Sequence, residues 1–329
     1  MQHVKFGRSG LMVSKLCLGT MTFGHQRDEA ESHAILDAAA EGGVTFIDTA
    51  DVYPLGGGLP LHGRTEEIVG SWMAGKRQNY ILATKCVGKM GQQEWNQGAS
   101  RQHVLEAIDA SLKRLKTDYV DLYQLHMYDA NTPMDEALEA LDTVVKSGKA
   151  RYVGVSNWPA YKVALGIGRT EILRTARISS VQPRYNLLFR TFERDLLPLC
   201  QEQGVAVISY NPLAGGLLTG KHKQEGGPPE GRFTLGNAGA MYTGRYWHER
   251  QFATVEALRG IAAEAGMSLA TLAVAWVAAN PAITCPIIGA SRPEQLADSL
   301  AAASVTFTPE LKARIDELTA EYRSVDAER

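Results

Sequence analysis

Cysteine is scarce in this 329-residue chain: Cys17, Cys86, Cys200 and Cys285 lie far apart. No close pair exists to clamp a metal or run thiol exchange, and scattered thiols suit a reducing compartment. The N-terminus has no charged lead followed by an apolar run, so no signal peptide is expected, and no apolar stretch is long enough to cross a bilayer. Charge of one sign is lacking as well. A formal net charge of −2 gives neither nucleic acid nor an anionic membrane a surface to bind. The Gly-x-Gly-x-x-Gly fingerprint of an open dinucleotide-binding sheet is also missing, since Gly56-Gly57-Gly58 has the wrong continuation. Hydrophobic residues are plentiful at 45%, enough for a substantial core. The expectation is a cytoplasmic globular enzyme.

The informative stretch is Gly43 to Tyr53. Val44-Thr45-Phe46-Ile47 reads as a buried strand, and it delivers Asp48, two small residues, Asp51 and then Tyr53. A tyrosine titrates near ~10 unless something stabilises its anion, so a working phenol needs a cation beside it. Tyr80 to Lys85 is another apolar strand ending in a charge, and Tyr119 to His126 is a third ending in imidazole. Three successive strands thus carry Asp48 with Tyr53, Lys85, and His126 at their C-terminal ends.

Residues 2–16 read as a hairpin around Gly7 to Gly10, followed by a short strand from Cys17 to Thr20. Asp28 caps a helix that runs to about Glu41. Strands at 44–48, 80–84, 119–125, 150–155, 178–182, 205–209 and 283–288 then alternate with helices. These are expected at 64–75, 100–115, 133–147, 158–168, 193–203, 249–265, 268–279, 293–302 and from Pro309 to about Arg323. A long irregular segment fills 211–248. Eight strand-then-helix signals imply parallel strands with helical crossovers. The predicted fold is α/β: a single (β/α)8 TIM barrel spanning 1–329, with the N-terminal β-hairpin plugging one end. In such barrels chemistry gathers at the C-terminal strand ends.

The chain resembles the aldo-keto reductases nearly end to end. The motifs are Gly19-Thr20-Met21-Thr22-Phe23-Gly24, Asp48-Thr49-Ala50 with Tyr53, Gly63-Arg64-Thr65-Glu66, Lys85, and Asp121 to His126. Gly148 to Asn157, Gln182, Asn211-Pro212-Leu213 and Gly289-Ala290-Ser291 complete them. The resemblance implies NADPH-dependent reduction of a small carbonyl compound, with no metal. Tyr53 would donate the proton, Lys85 would depress its pKa, Asp48 would hold Lys85 charged, and His126 would orient the carbonyl. On the cofactor side it implies Gly19, Thr20, Met21 and Asp48, with Ser156, Asn157 and Gln182 at the carboxamide and Tyr210 stacked on the nicotinamide. Asn211, Pro212, Leu213, Gly215, Leu217, Lys221 and Arg232 would surround the pyrophosphate. Gly289, Ser291, Arg292, Gln295 and Asp298 would meet the adenosine end, with Arg292 favouring NADP over NAD.

Two other readings stay open: an NADPH-binding redox-sensing subunit with little turnover, and a Schiff-base aldolase using Lys85. Against the former, His126 stands where the potassium channel β subunits carry Asn. Pro54 to His62 departs from the family pattern and reads as an inserted loop at the pocket mouth, expected to act on substrate choice and leave NADPH affinity alone. His25, His33, His62, His103, His222 and His248 read as surface or loop residues. Gly215 to Lys221 nearly spells a Walker A loop, but His222 replaces its Ser/Thr.

Overall fold

The computed structural model describes residues 1–228 and 231–324. Strands β1 (His3–Lys5) and β2 (Met12–Ser14) pair antiparallel, His3 opposite Ser14. Eight further strands close into a parallel barrel: β3 (Cys17–Gly19), β4 (Phe46–Asp48), β5 (Ile81–Cys86), β6 (Val120–Leu125), β7 (Ala150–Ser156), β8 (Ile178–Gln182), β9 (Ala206–Ser209) and β10 (Cys285–Ile288). The ring shuts where β10 pairs with β3.

The hairpin is fastened to the barrel's N-terminal end. Ser14 Oγ accepts from the Thr45 and Phe46 amides at 3.0 and 3.2 Å, and Arg8 N donates to Gly204 O at 2.8 Å. Phe6 stands edge-on to Phe46, ring centres 6.1 Å apart, inside a buried cluster with Ala83, Leu122, Ile208 and Cys285. A second, larger apolar layer lies between the strands and the surrounding helices.

Those helices are α1 (Glu29–Glu41), α2 (Arg64–Trp72), α3 (Arg101–Leu115), α4 (Met134–Lys146), α5 (Ala160–Leu173), α6 (Leu196–Gln203), α7 (Gly236–Tyr246), α8 (Glu249–Glu264), α9 (Leu269–Ala278), α10 (Leu296–Ala301) and α11 (Pro309–Leu318). Asp28 caps α1 as expected: its carboxylate accepts Glu31 N at 2.8 Å, and Glu31 returns the bond to Asp28 N at 3.0 Å.

Five sequence expectations need correction. The segment 211–248 is not irregular throughout, because it contains α7. Gly236, Gly239 and Gly244 weaken the helical signal there, yet burial of Tyr242 and Tyr246 holds the helix in place. Helix α5 does not stop near 168. It runs to Leu173, and Gly166 within it permits close packing on β8, since a Cβ there would come within 2.9 Å of Ile178. The helix expected at 293–302 is a 3₁₀ turn (Pro293–Gln295) followed by the short α10, and the last one ends at Leu318 before another 3₁₀ turn. His103 is no surface residue: it is buried on α3, its Nε2 unpartnered.

Candidate active site

The strand period of two puts Phe46 and Asp48 of β4 on the inner face, with Ala83 and Lys85 of β5 and Leu122 and Gln124 of β6. The lower member of each pair is apolar, and the upper one is polar. Asp48 and Lys85 are buried, and Lys85 Nζ donates to Asp48 Oδ1 at 2.5 Å and to Thr49 O at 2.7 Å. Asp48 Oδ2 accepts from Gln182 Nε2 at 2.9 Å and Gln124 Nε2 at 3.2 Å. Burial opposes the charge on Lys85, but Asp48 and the Tyr53 phenol outweigh it, and its pKa lies above the ordinary value. Lys85 is therefore an ammonium.

Tyr53 reaches the same place on a turn that hydrogen-bonds itself and its neighbours. Thr49 N donates to Ala83 O at 2.9 Å, Asp51 N to Lys85 O at 3.1 Å, and Tyr53 N to Ala50 O at 3.2 Å. Asp51 Oδ1 accepts Val52 N at 2.7 Å. The Tyr53 ring meets His126 edge-on, centres 5.7 Å apart, with Lys85 Nζ 5.0 Å from the ring centre. One expectation is corrected here. Burial raises the Tyr53 pKa more than Lys85 lowers it, so the net shift is upward from the ordinary value. The phenol keeps its proton at neutral pH, as a proton donor must, and Lys85 limits how far burial drives the shift.

His126 follows β6 directly. Burial, then the Lys85 charge, push its pKa down to about 3, and its Nδ1 is buried without a partner. The imidazole is thus neutral over the whole working range. In the unfolded chain this ring takes up a proton below its ordinary pKa, but in the fold it does so only near 3, so stability falls with pH across that window. The expected pH profile of kcat/KM for a carbonyl substrate has no inflection near 6.5 owing to His126. An acid limb there that disappears in His126→Asn would contradict this assignment.

The residues expected around a cofactor lie on the neighbouring strand ends. Ser156 Oγ donates to Gln182 O at 2.9 Å, and Asn157 Nδ2 bonds Ser156 Oγ and His126 O, both at 3.0 Å. Tyr210 OH donates to Asn157 Oδ1 at 2.9 Å, fixing a half-buried ring beside the site. Thr20 Oγ1 donates to Asp48 O at 3.0 Å, so the Gly19-Thr20-Met21 stretch adjoins the cluster. Asn211, Ala214, Gly215 and Gly216 all have positive φ, which turns the backbone into a tight concave loop. Asn211 Oδ1 takes the Gly215 amide at 2.6 Å, so that N–H is already committed, and Leu217 is buried. Gln295 Oε1 accepts from both Ser291 N and Ser291 Oγ at 2.9 Å. Lys221, Gly289, Arg292 and Asp298 are exposed, while Arg232 points its Nη1 at Tyr242 OH, 3.3 Å away.

A family model described as "Aldo/keto reductase family" matches residues 15–320. The chain belongs to the aldo/keto reductase family. It is 36% identical to an uncharacterized oxidoreductase, YrpG, of Bacillus subtilis over 326 residues, 97% of this chain and 96% of that one. The L-glyceraldehyde 3-phosphate reductase of Escherichia coli is 36% identical over 327 residues, 96% and 92% of the two chains. A probable voltage-gated potassium channel subunit beta of Oryza sativa is 37% identical over 323 residues, 96% of each. This aldo/keto reductase is accordingly an oxidoreductase from a family that acts on small carbonyl compounds with nicotinamide cofactors.

The site suits such a cofactor. Tyr210 offers a ring anchored by its hydroxyl, the Asn211–Gly216 loop is concave, and Lys221 and Arg292 have no acidic partner among the described residues. Other features of this aldo/keto reductase escaped the sequence reading. Gln124 was legible in principle: it is a polar residue inside an apolar strand, two positions before His126 and on the same face. Tyr242 of α7 is buried against the tight loop after β9, its ring 2.9 Å from where a Cβ on Gly215 would stand, and nothing in the sequence ties these two together. His222 is packed edge-on against Phe233 and Trp247, and burial lowers its pKa to about 4.

The inserted loop also makes a contact that its sequence does not announce. Its 3₁₀ turn spans Leu59–Leu61, and Gly56 lies against Leu235, whose Cγ would be 2.8 Å from a Cβ there. The insertion therefore also touches the segment between β9 and α7.

Proposed function

We propose that this chain reduces an aldehyde or ketone with NADPH, Tyr53 supplying the proton. The observation that carries the reading is the meeting of Tyr53, Lys85, Asp48 and His126 at one barrel end, two of them a fully buried ion pair. When bound, NADPH would supply the hydride for the carbonyl carbon. Tyr53 gives its proton to the carbonyl oxygen, so that one hydride and one proton convert the carbonyl to an alcohol. Lys85, held charged by Asp48, stabilises the phenolate left behind. Neutral His126 hydrogen-bonds the carbonyl oxygen and sets its angle to Tyr53. Ser156, Asn157 and Tyr210 would hold the nicotinamide end of the cofactor.

The same geometry disfavours a Schiff base. An amine that is charged and bonded to a carboxylate at 2.5 Å has no lone pair to attack with. The relatives named as channel β subunits support a second reading, a sensor that binds NADPH and turns over little. An NADPH-oxidation screen over aldehydes, keto-sugars and bulky ketones separates the two. Steady turnover above the enzyme-free rate is expected, and its absence across the screen would leave the sensor.

The choice of NADPH rests on Lys221, Ser291 and Arg292. Each charge-assisted hydrogen bond to a 2′-phosphate contributes about 1.5–3 kcal/mol, so NADPH should bind at least about tenfold more tightly than NADH. Fluorescence titrations that give matching dissociation constants would remove the basis for naming NADP.

A further inference from the structure

Gln124 stands on the inner face of β6, one step above Leu122, and is wholly buried. Its register partners are Lys85 on β5 and Gly154 on β7. A primary amide in such a place costs free energy unless both its ends are bonded. Both are bonded here. Nε2 donates to Asp48 Oδ2 at 3.2 Å, and Oε1 accepts from Gln182 Nε2 at 3.4 Å. Gln182 Nε2 also donates to the same Asp48 oxygen, at 2.9 Å. Asp48, Gln124 and Gln182 thus close a triangle of hydrogen bonds across β4, β6 and β8.

That triangle can form in one sense only. A carboxylate accepts and does not donate, so each glutamine must turn its nitrogen toward Asp48. With Gln124 so turned, its oxygen is the acceptor that the second Gln182 proton meets. A flipped Gln124 would set its oxygen against the Asp48 carboxylate and its nitrogen against that of Gln182. Gln182 Oε1 is left over, with no hydrogen-bond partner among the described residues. Asp48 holds Lys85 Nζ at 2.5 Å on its other oxygen, and Ser156 Oγ donates to the Gln182 main-chain oxygen at 2.9 Å. β7 lies between β6 and β8, and it brings Gly154 to the level of Gln124, so it places no side chain there.

We infer that Gln124 is a positioning residue: it fixes the orientation of Gln182 and shares with it the holding of Asp48. One network then joins the strand end expected at the nicotinamide to the ion pair behind the Tyr53 phenol. The role rests on the proposed reductase function and adds a residue to it. Hydride and proton must reach one carbonyl group, so a link between their two sources bears on the chemical step.

The test uses Q124L and Q124E. Q124L keeps the bulk and removes both bonds. Single-turnover hydride transfer from NADPH should slow by about tenfold or more, the usual worth of a hydrogen bond to a charged group, with the substrate KM little changed. Q124E sets a second carboxyl beside Asp48, which raises one pKa of the pair. Below that pKa the acid donates to Asp48 as the amide does, and the rate should approach that of wild type at the same pH. Above it two carboxylates repel, and the rate should fall below that of Q124L. A residue that merely fills space would give no such recovery at low pH. A wild-type rate in Q124L overturns the inference, and so does a Q124E rate that stays low throughout. Should wild type turn over no carbonyl compound in the screen, the reductase reading fails by itself, and a crystal structure of Q124L decides the positioning. Gln182 displaced from Asp48 in that variant upholds it, and Gln182 unmoved overturns it.

Discussion

Tyr53→Phe is expected to slow the chemical step by about two to four orders of magnitude, the usual worth of a positioned proton donor. The substitution removes one oxygen from a ring whose edge-on contact with His126 remains, so the fold and the cofactor surface should survive. The loss should therefore appear in single-turnover rates of NADPH oxidation and not in NADPH affinity. His126 is the other group that could reach the carbonyl oxygen. With its pKa pushed down to about 3 it carries no extra proton to give at neutral pH, so it can donate only a hydrogen bond. A Tyr53→Phe enzyme that kept most of the wild-type rate would mean that water or His126 is the acid.

The second large effect concerns stability as much as rate. Asp48→Ala strands the Lys85 ammonium inside the barrel, where its side chain is wholly inaccessible. It also takes the shared acceptor from Gln124 and Gln182. Breaking a buried ion pair from one side costs about 3–5 kcal/mol, so the melting temperature of a chain this long should fall by about 4–7 °C. Replacing both partners, as Asp48→Leu with Lys85→Met, removes the stranded charge and should recover part of that loss. Recovery is incomplete because the two glutamine amides still lack their carboxylate. Activity should stay lost in both variants, since the phenolate has no properly held cation beside it. Full stability in Asp48→Ala, or activity in the double variant, would refute the role given to the pair.

The four strand-end residues were legible because a barrel makes strand ends converge, and a charge that terminates an apolar strand is visible in sequence. Hairpin, strand count and closure were legible for a similar reason: local period and turn chemistry agree with the fold at each step. Helix α7 was not, since its glycines argue against a helix that only burial of Tyr242 and Tyr246 sustains. The contact of Gly56 with Leu235 depends on which loops meet over the barrel mouth. No spacing along a single chain encodes that.

The sealed end of the barrel restricts how the site could be replenished. Below Asp48 and Lys85 lies an apolar layer of Phe46, Ala83, Leu122, Ile208 and Cys285, stoppered by Phe6 of the hairpin. The hydroxyl of Ser180 stands beside this layer, next to Leu122, but it is unpartnered among the described residues and so continues no chain along which a proton could hop. On the mechanism proposed above, the Tyr53 proton would be replaced through the open mouth, by the same route that admits substrate. Proton supply and substrate entry would then share one doorway, and solvent isotope effects on the step that follows chemistry should report on its traffic.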